Sequence, residues 1–247
     1  MITTSALKEW IRNNLPWPAF WKIKRLREEG LALFKEGDLT GLAKIYKTDK
    51  WGVGHKYTPI YQRWFTGMRH RPIRLLEIGV GGYTKPLRGG ESLRMWKRFF
   101  RRGIITGIDL YDKSSLKESR IKIYQGDQTD KDFLLSVHQK EGPFDIIIDD
   151  GSHIQSHIIT SFESLFPVLA PGGIYVIEDT QTSYRPNYGG STLEMNTIDS
   201  AMNYFINRIH GLNHVEWIKA EAPVNPTDQS IEGIAFYHNL IFITKKK

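Results

Sequence analysis

The chain predicts a doubly wound α/β fold, a mostly parallel sheet preceded by an N-terminal helical extension. Two observations carry this. From residue 73 onward, near-continuous apolar runs of strand length alternate with amphipathic helical runs, the pattern of a parallel sheet covered on both faces. Before residue 70 the apolar residues follow a helical period only. At 247 residues this makes one α/β domain of ordinary size with a small extension, divided as 1–70 and 71–247.

The extension reads as helices over LKEWIRNN (7–14), FWKIKRLREEGLALFKEG (20–37), GLAKIYKT (41–48) and TPIYQRWFTGM (58–68). LPWPAFW (15–21) reads as a hinge, because neither Pro16 nor Pro18 suits a helix interior. Trp10, Trp17, Phe20 and Trp21 lie around it, and aromatics this dense bury against a sheet or a second subunit. Strands follow at 73–80, 103–110, 120–127, 144–150 and 172–179, with helices at 91–100, 130–140, 156–170 and near 191–210. VEWIKAEA (215–222) and NLIFITKKK (239–247) read as a closing pair of strands.

Composition removes several classes. Without cysteine there is no disulfide framework, thiolate metal site or Cys nucleophile. No apolar run approaches the roughly 20 residues of a membrane helix. The first residues lack the apolar stretch of a signal peptide, so the expected location is the cytoplasm. Net charge is +7, and the whole excess lies in residues 1–70. A second basic concentration, with Lys85, Arg88, Arg94, Lys97, Arg98, Arg101 and Arg102, spans 85–102. Such charge attracts polyanions, but no nucleic-acid motif accompanies it, which favours a solvated face.

The motifs gather at strand ends. Glu77-Ile-Gly79-Val-Gly81-Gly82 follows the first strand, and glycine lets a backbone turn sharply and approach a ligand closely. Asp109 ends the second strand, where a carboxylate can accept from both ribose hydroxyls. Position 84 is threonine rather than glycine, so the dinucleotide fingerprint is incomplete and NAD is disfavoured. After the third strand come Gly126, Asp127 and Gln128; Asp127 suits an adenine amino group or the N-cap of the next helix. The fourth and fifth strands stop at Asp149-Asp150 and Glu178-Asp179, with His153 close behind. Facing carboxylates repel unless a cation neutralises them, and oxygen ligands suit a hard ion such as Mg²⁺. The plainer readings are helix caps at Asp149, Asp150 or Ser152 and a solvated Glu178-Asp179 loop.

In this order, E-x-G-x-G, an acid after strand two and G-D after strand three resemble class I S-adenosylmethionine-dependent methyltransferases, with a Rossmann-like sheet. More narrowly, TDKWGVGHKYTPIYQRWF (48–65), LEIGVGGY (76–83), GGESLRMW (89–96), GDQTD (126–130), IDDGSH (148–153), PGGIYVIEDTQTSY (171–184) and FYHNLIFI (236–243) resemble the macrocin and mycinamicin type of metal-dependent sugar O-methyltransferases. The resemblance covers roughly residues 45–245.

It implies S-adenosylmethionine and Mg²⁺ as cofactors, with Asp150, Glu178 and Asp179 as metal ligands and His153 as general base beside Asp150. The cofactor residues it implies are Glu77, Gly79, Gly81, Asp109, Asp127, Gln128, Ser92 and Tyr57. Asp149 is either a support for the ligands or a cofactor contact, and His157 a structural or supporting group. His55, Thr58 and Tyr61 lie in a segment that lines the cofactor and acceptor pockets in the family, although Tyr61 and Trp64 also read as core. Tyr184, Tyr188, Gly189 and Gly190 read as a mobile loop able to close over a sugar. Arg185 stands where the family often has an aromatic, which favours a more anionic or hydrophilic acceptor.

The expected reaction is methyl transfer to a sugar hydroxyl of a glycoside, saccharide or glycosylated natural product. The alternatives are a catechol or other small diol and, less favoured, RNA. The expected partners are the small acceptor and further copies of the chain, with neither nucleic acid nor a membrane.

Overall fold

The computed structural model describes residues 17–196, 199–216 and 225–247. They group into two compact units that divide between Thr66 and Gly67.

In the first unit, helix α1 (Trp17–Ala32) begins inside the expected hinge and runs into a 3-10 turn, Leu33–Lys35. Pro18 occupies the first turn of α1, where its missing N–H has no intrahelical partner to lose. The helix expected at 7–14, with Trp10, lies outside the described residues, as do the side chains of Trp17, Phe20 and Trp21. Helix α2 (Leu39–Tyr46) starts where Asp38 accepts a hydrogen bond from the Gly41 N–H at 2.8 Å, an N-cap. The Gln62 side chain of α3 (Thr58–Phe65) joins the two, accepting from Leu39 N–H at 2.9 Å and donating to Gly37 O at 3.1 Å. Leu39, Leu42, Ala43, Tyr46, Tyr61 and Phe65 are all buried. For Tyr61, whose ring lies 5.2 Å from that of Phe65, the structure shows a core position.

The second unit is built on seven strands: β1 (Arg74–Ile78), β2 (Ile104–Asp109), β3 (Ile121–Gln125), β4 (Ile146–Asp149), β5 (Ile174–Glu178), β6 (Ile231–Tyr237) and β7 (Leu240–Lys245). Their order is β3-β2-β1-β4-β5-β7-β6, with β7 antiparallel to β5 and β6 and all other pairs parallel. The central strands β4 and β5 are buried at every residue, whereas edge strand β3 alternates. That is the consequence of helices on both faces at the centre only. β7 is flanked by two antiparallel strands, β5 on one side and, joined to it by a tight turn, β6 on the other, so the expected pairing of 239–247 with 215–222 is replaced by β6. Val215 and Glu216 belong to a 3-10 turn, and 217–222 lie outside the described residues. Periodicity misled here because VEWIKAEA alternates as a strand does, while β6 carries two polar or small residues near its start.

Helices α4 (Glu91–Phe99), α5 (Lys131–Glu141), α6 (Gln155–Leu165), α7 (Ala201–Gly211) and the short α8 (Pro226–Ser230) complete the unit. On one face Phe162 of α6 is ringed by Phe166, Phe205 and Tyr175 at 4.7, 4.8 and 5.2 Å. α4 comes so close to β2 that a Cβ on Gly107 would meet Leu93 and Val80 at 2.9 Å. Several cations serve helix ends. Arg120 donates to the carbonyls of Lys97, Phe100 and Gly103, and Lys245 to those of Phe166, Pro167 and Leu169, satisfying carbonyls the helices leave over. In the basic stretch, Arg94 is buried and pairs with Glu91, and Lys97 pairs with Glu118. Strand order reverses between β1 and β4, so a ligand crevice is expected beyond their carboxyl ends.

Candidate active site

Beyond β1 the backbone passes Gly79 at φ 92° and returns through Gly89 at φ 104° into α4. A side chain at either position is barred twice, by the left-handed backbone and by space. A Cβ on Gly79 would run into the Asp150 carbonyl, and one on Gly89 into the carbonyls of Val80 and Gly81. Asp109, at the end of β2, holds this turn: Oδ2 accepts from Val80 N–H and Oδ1 from Tyr111 N–H, both at 2.9 Å. The longer first loop is folded back by Lys113, which is buried and donates to the carbonyls of Lys85 and Arg88 at 2.8 and 3.2 Å. Burial lowers its pKa against the opposing pull of Asp109 and Glu91.

Glu77 is buried in β1 and accepts from Ser92 Oγ at 2.9 Å. Asp127 is exposed and accepts twice from Thr129, which holds its carboxyl below the usual range. It does not cap α5; Asp130 does, accepting from Phe133 N–H at 3.0 Å. Gln128 is turned inward: Oε1 accepts from Ser152 N–H at 2.7 Å and Nε2 donates to Ser161 Oγ at 3.0 Å. Tyr57 belongs to the first unit, where it is buried with its ring edge-on to His55 at 4.9 Å.

At the ends of β4 and β5 the carboxylates divide by depth. Asp149 is buried, and that burial pushes its carboxyl up to about 7 against the hydrogen bond from Gly151 N–H. Beside it, burial together with the Asp149 charge raises the Tyr175 phenol well above its ordinary value. Asp150 is partly exposed, and His153 Nε2 lies 3.9 Å from its Oδ1 and 3.6 Å from Asp179 Oδ2. Asp150, His153 and Asp179 bring one donor atom each within 4.8 Å of the others, and so do Glu77, Asp150 and Glu178. Asp150 is common to both sets. Register explains the second: Glu77, Asp150 and Glu178 fall on one face of adjacent strands. Glu77, read from sequence as a cofactor residue, thus stands beside two of the expected metal ligands.

His153 and Asp179 share a rarer property. Their φ values are 58° and 55°, a left-handed conformation that costs a non-glycine residue about 1 kcal/mol or more. The expected cap at Ser152 is not formed: α6 begins at Gln155 with Ile154 as N-cap residue and no side-chain cap. Ser152 Oγ instead meets His157 Nδ1 at 2.9 Å, which gives His157 a supporting place. Of the residues expected as a loop after β5, Tyr184 ends a 3-10 turn, Thr180–Tyr184, and Tyr188 ends a second, Pro186–Tyr188, with Gly189 at its C-cap; Thr180, Thr182 and Ser183 in the first turn are buried. Gln155, Ser161 and Lys113 escaped the sequence reading because their partners are remote in the chain. Lone Gln, Ser and Lys residues carry no local signal.

No protein-family model matches the chain. It is 42% identical over 235 residues to 8-demethyl-8-alpha-L-rhamnosyl tetracenomycin-C 2'-O-methyltransferase of Streptomyces olivaceus, covering 94% of this chain and 60% of that protein. To mycinamicin VI 2''-O-methyltransferase of Micromonospora griseorubida it is 45% identical over 213 residues, 85% of this chain and 53% of the relative. Demethylmacrocin O-methyltransferase of Streptomyces fradiae matches at 45% over 210 residues, with 84% and 53% covered. Among solved structures, MycE methyltransferase from the mycinamycin biosynthetic pathway, in complex with Mg, SAH and mycinamycin VI, superposes with a TM-score of 0.80. It is 45% identical over 85% of this chain and 54% of that one. The chain spans little more than half the length of these relatives. With the strand order, the glycine turn held by Asp109 and the acid cluster at the ends of β4 and β5, these likenesses show a chain similar over most of its length to the macrocin and mycinamicin type of sugar O-methyltransferases, on the class I S-adenosylmethionine-dependent fold.

Proposed function

We propose that the protein transfers a methyl group from S-adenosylmethionine to a sugar hydroxyl of a glycosylated small molecule, with Mg²⁺ as the resident ion. The observation that carries this reading is His153 Nε2 lying within 4 Å of both Asp150 and Asp179, next to the glycine turn after β1. The donor set fits a hard cation: Asp150, Glu178 and Asp179 offer oxygen only, and their mutual repulsion favours a bound positive charge. These three residues would hold the ion. When bound, S-adenosylmethionine supplies an electrophilic methyl group, and Mg²⁺ the charge that acidifies and orients vicinal hydroxyls of the acceptor.

The chain's own residues do the rest. The turn at Gly79 and Gly81 brings bare backbone against the cofactor. Asp109 keeps a lone pair on each oxygen for ribose hydroxyls after accepting from Val80 and Tyr111. Asp127 is exposed for an adenine amino group; Ser92 orients Glu77, and Gln128 holds the Asp149–Ser152 turn. Tyr57 joins the cofactor residues on the strength of the family motif. His153 takes the acceptor proton at Nε2, a role worth about 10²–10⁴-fold in rate, and the flanking carboxylates stabilise the imidazolium. Asp149 supports the turn from below. In this reading, residues 1–70 form a lid or assembly element and 71–247 the cofactor-binding domain. Exposed Leu26, Leu33 and Phe34 support a homo-oligomer. Among the described residues no helix is long and apolar enough to cross a membrane, and we take the protein to act in the cytoplasm. Exposed Arg185 favours a hydrophilic or anionic acceptor over a flat catechol.

Calorimetric titration of S-adenosylhomocysteine, with Mg²⁺ or EDTA, tests this on the wild type and the Asp150→Ala/Asp179→Ala double variant. Both proteins should bind the nucleoside, and only the wild type should give Mg²⁺ heat. Absence of nucleoside binding in the wild type would overturn the reading. Equal Mg²⁺ heats would remove the ligand assignment.

A further inference from the structure

We propose that Gln155 is a positioning residue, a buried amide that locks the His153 and Asp179 backbones into one geometry and thereby sets the divalent-ion site. The ion-site clause rests on the function proposed above. Gln155 is the first residue of α6 and is buried. Its Nε2 donates to the His153 carbonyl at 3.2 Å and to Thr182 Oγ1 at 3.1 Å. Its Oε1 accepts from Ser183 Oγ at 2.7 Å and from Ala201 N–H, the first residue of α7, at 2.9 Å. Both amide protons and both lone pairs are therefore used, and the residue has no atom to spare for a ligand.

The connections continue outward. Thr182 Oγ1 donates to the Asp179 carbonyl at 2.9 Å, and Ser183 Oγ accepts from Met202 N–H at 3.3 Å. One amide thus joins the turn after β4, the segment after β5 and the start of α7. The two chemical residues it brackets, His153 and Asp179, are both held at positive φ, a conformation that persists only where the surroundings enforce it. A fully satisfied buried polar network is the device that specifies a single arrangement. Groups bonded directly to metal ligands alter metal affinity by about 10–100-fold when removed, and Gln155 reaches the ligand Asp179 one step removed, through Thr182.

Hydrogen exchange and Mn²⁺ calorimetry on wild type, Gln155→Ala and Gln155→Glu test the clamp, with S-adenosylhomocysteine affinity as control. In Gln155→Ala, exchange should speed up together at 151–154, 180–185 and 200–203. Mn²⁺ affinity should fall about tenfold, while nucleoside affinity holds within about threefold. Ionised, Gln155→Glu keeps the acceptors for Ser183 and Ala201 but has no proton for the His153 carbonyl or Thr182 Oγ1. Its exchange should therefore rise at 151–154 and 180–185 and stay low at 200–203. Gln155→Met fills the same volume and replaces the alanine variant if that does not fold. Faster exchange confined to the first turn of α6, or unchanged Mn²⁺ affinity, would overturn the proposal. A wild type that binds the nucleoside but no Mn²⁺ rejects the ion site; exchange alone then judges the clamp, a joint rise upholding it and independent rises rejecting it.

Discussion

The two halves of the site solve the same backbone problem in opposite ways. At the end of β1 the chain needs left-handed residues and uses glycine at all of them but Tyr83, namely Gly79, Gly81, Gly82, Gly89 and Gly90. At the ends of β4 and β5 it needs left-handed residues again and uses His153 and Asp179. The difference follows from what each half presents. Beyond β1 the tool is bare backbone, so the side chain is dispensable and its removal opens the space. Beyond β4 and β5 the tool is the side chain itself. The strain there must be carried, and buried amides, Gln128 and Gln155, brace it from behind.

The comparison is broken most severely by adding one carbon to the glycine half. Gly79→Ala places a Cβ against the Asp150 carbonyl at a left-handed φ, and should cost more than about 3 kcal/mol. Chemical denaturation would read this as a large fall in midpoint at unchanged slope; a near-wild-type midpoint would mean the two loops are not in contact. A smaller effect is expected at Asp109→Asn. The amide can still accept from only one of Val80 N–H and Tyr111 N–H, leaving one donor unmatched. S-adenosylhomocysteine affinity should fall about tenfold, or 1.4 kcal/mol, measured by calorimetry. The smallest effect sharpens the contrast at the strained half. His153→Ala and His153→Gly both lose the imidazole and about 10²–10⁴-fold of methyl-transfer rate, but the glycine variant should be the more stable by about 1 kcal/mol. Equal thermal midpoints would show that the His153 backbone carries no strain.

Legibility in the sequence follows the same division. The glycine turn, Asp109 and the paired acids are written as local motifs, since each needs only its neighbours in the chain to be recognised. The strands β1, β4 and β5 were equally plain, because burial on both faces makes them nearly continuously apolar, and edge strand β3 showed as an alternation instead. What failed to show was the bracing. Gln155 lies 27 positions from Thr182 and 46 from Ala201, and a single glutamine has no periodicity to betray it. The cap at Ser152 and the pairing of 239–247 with 215–222 were local expectations set aside by tertiary demands: Ser152 is engaged by His157, and β7 is flanked by β5 and β6.

By itself, then, the sequence determined the order of elements from β1 to β5, the parallel centre of the sheet and the residue types gathered at its carboxyl end. These depend on hydrophobic period, turn chemistry and strand length, all short-range properties. Only the tertiary structure decided that Asp150 belongs to two donor sets, one with His153 and Asp179 and one with Glu77 and Glu178. It also decided that Asp149 lies buried with its carboxyl pushed up to about 7. Register between strands and exclusion of water fix such outcomes, and both arise only when distant segments are packed together.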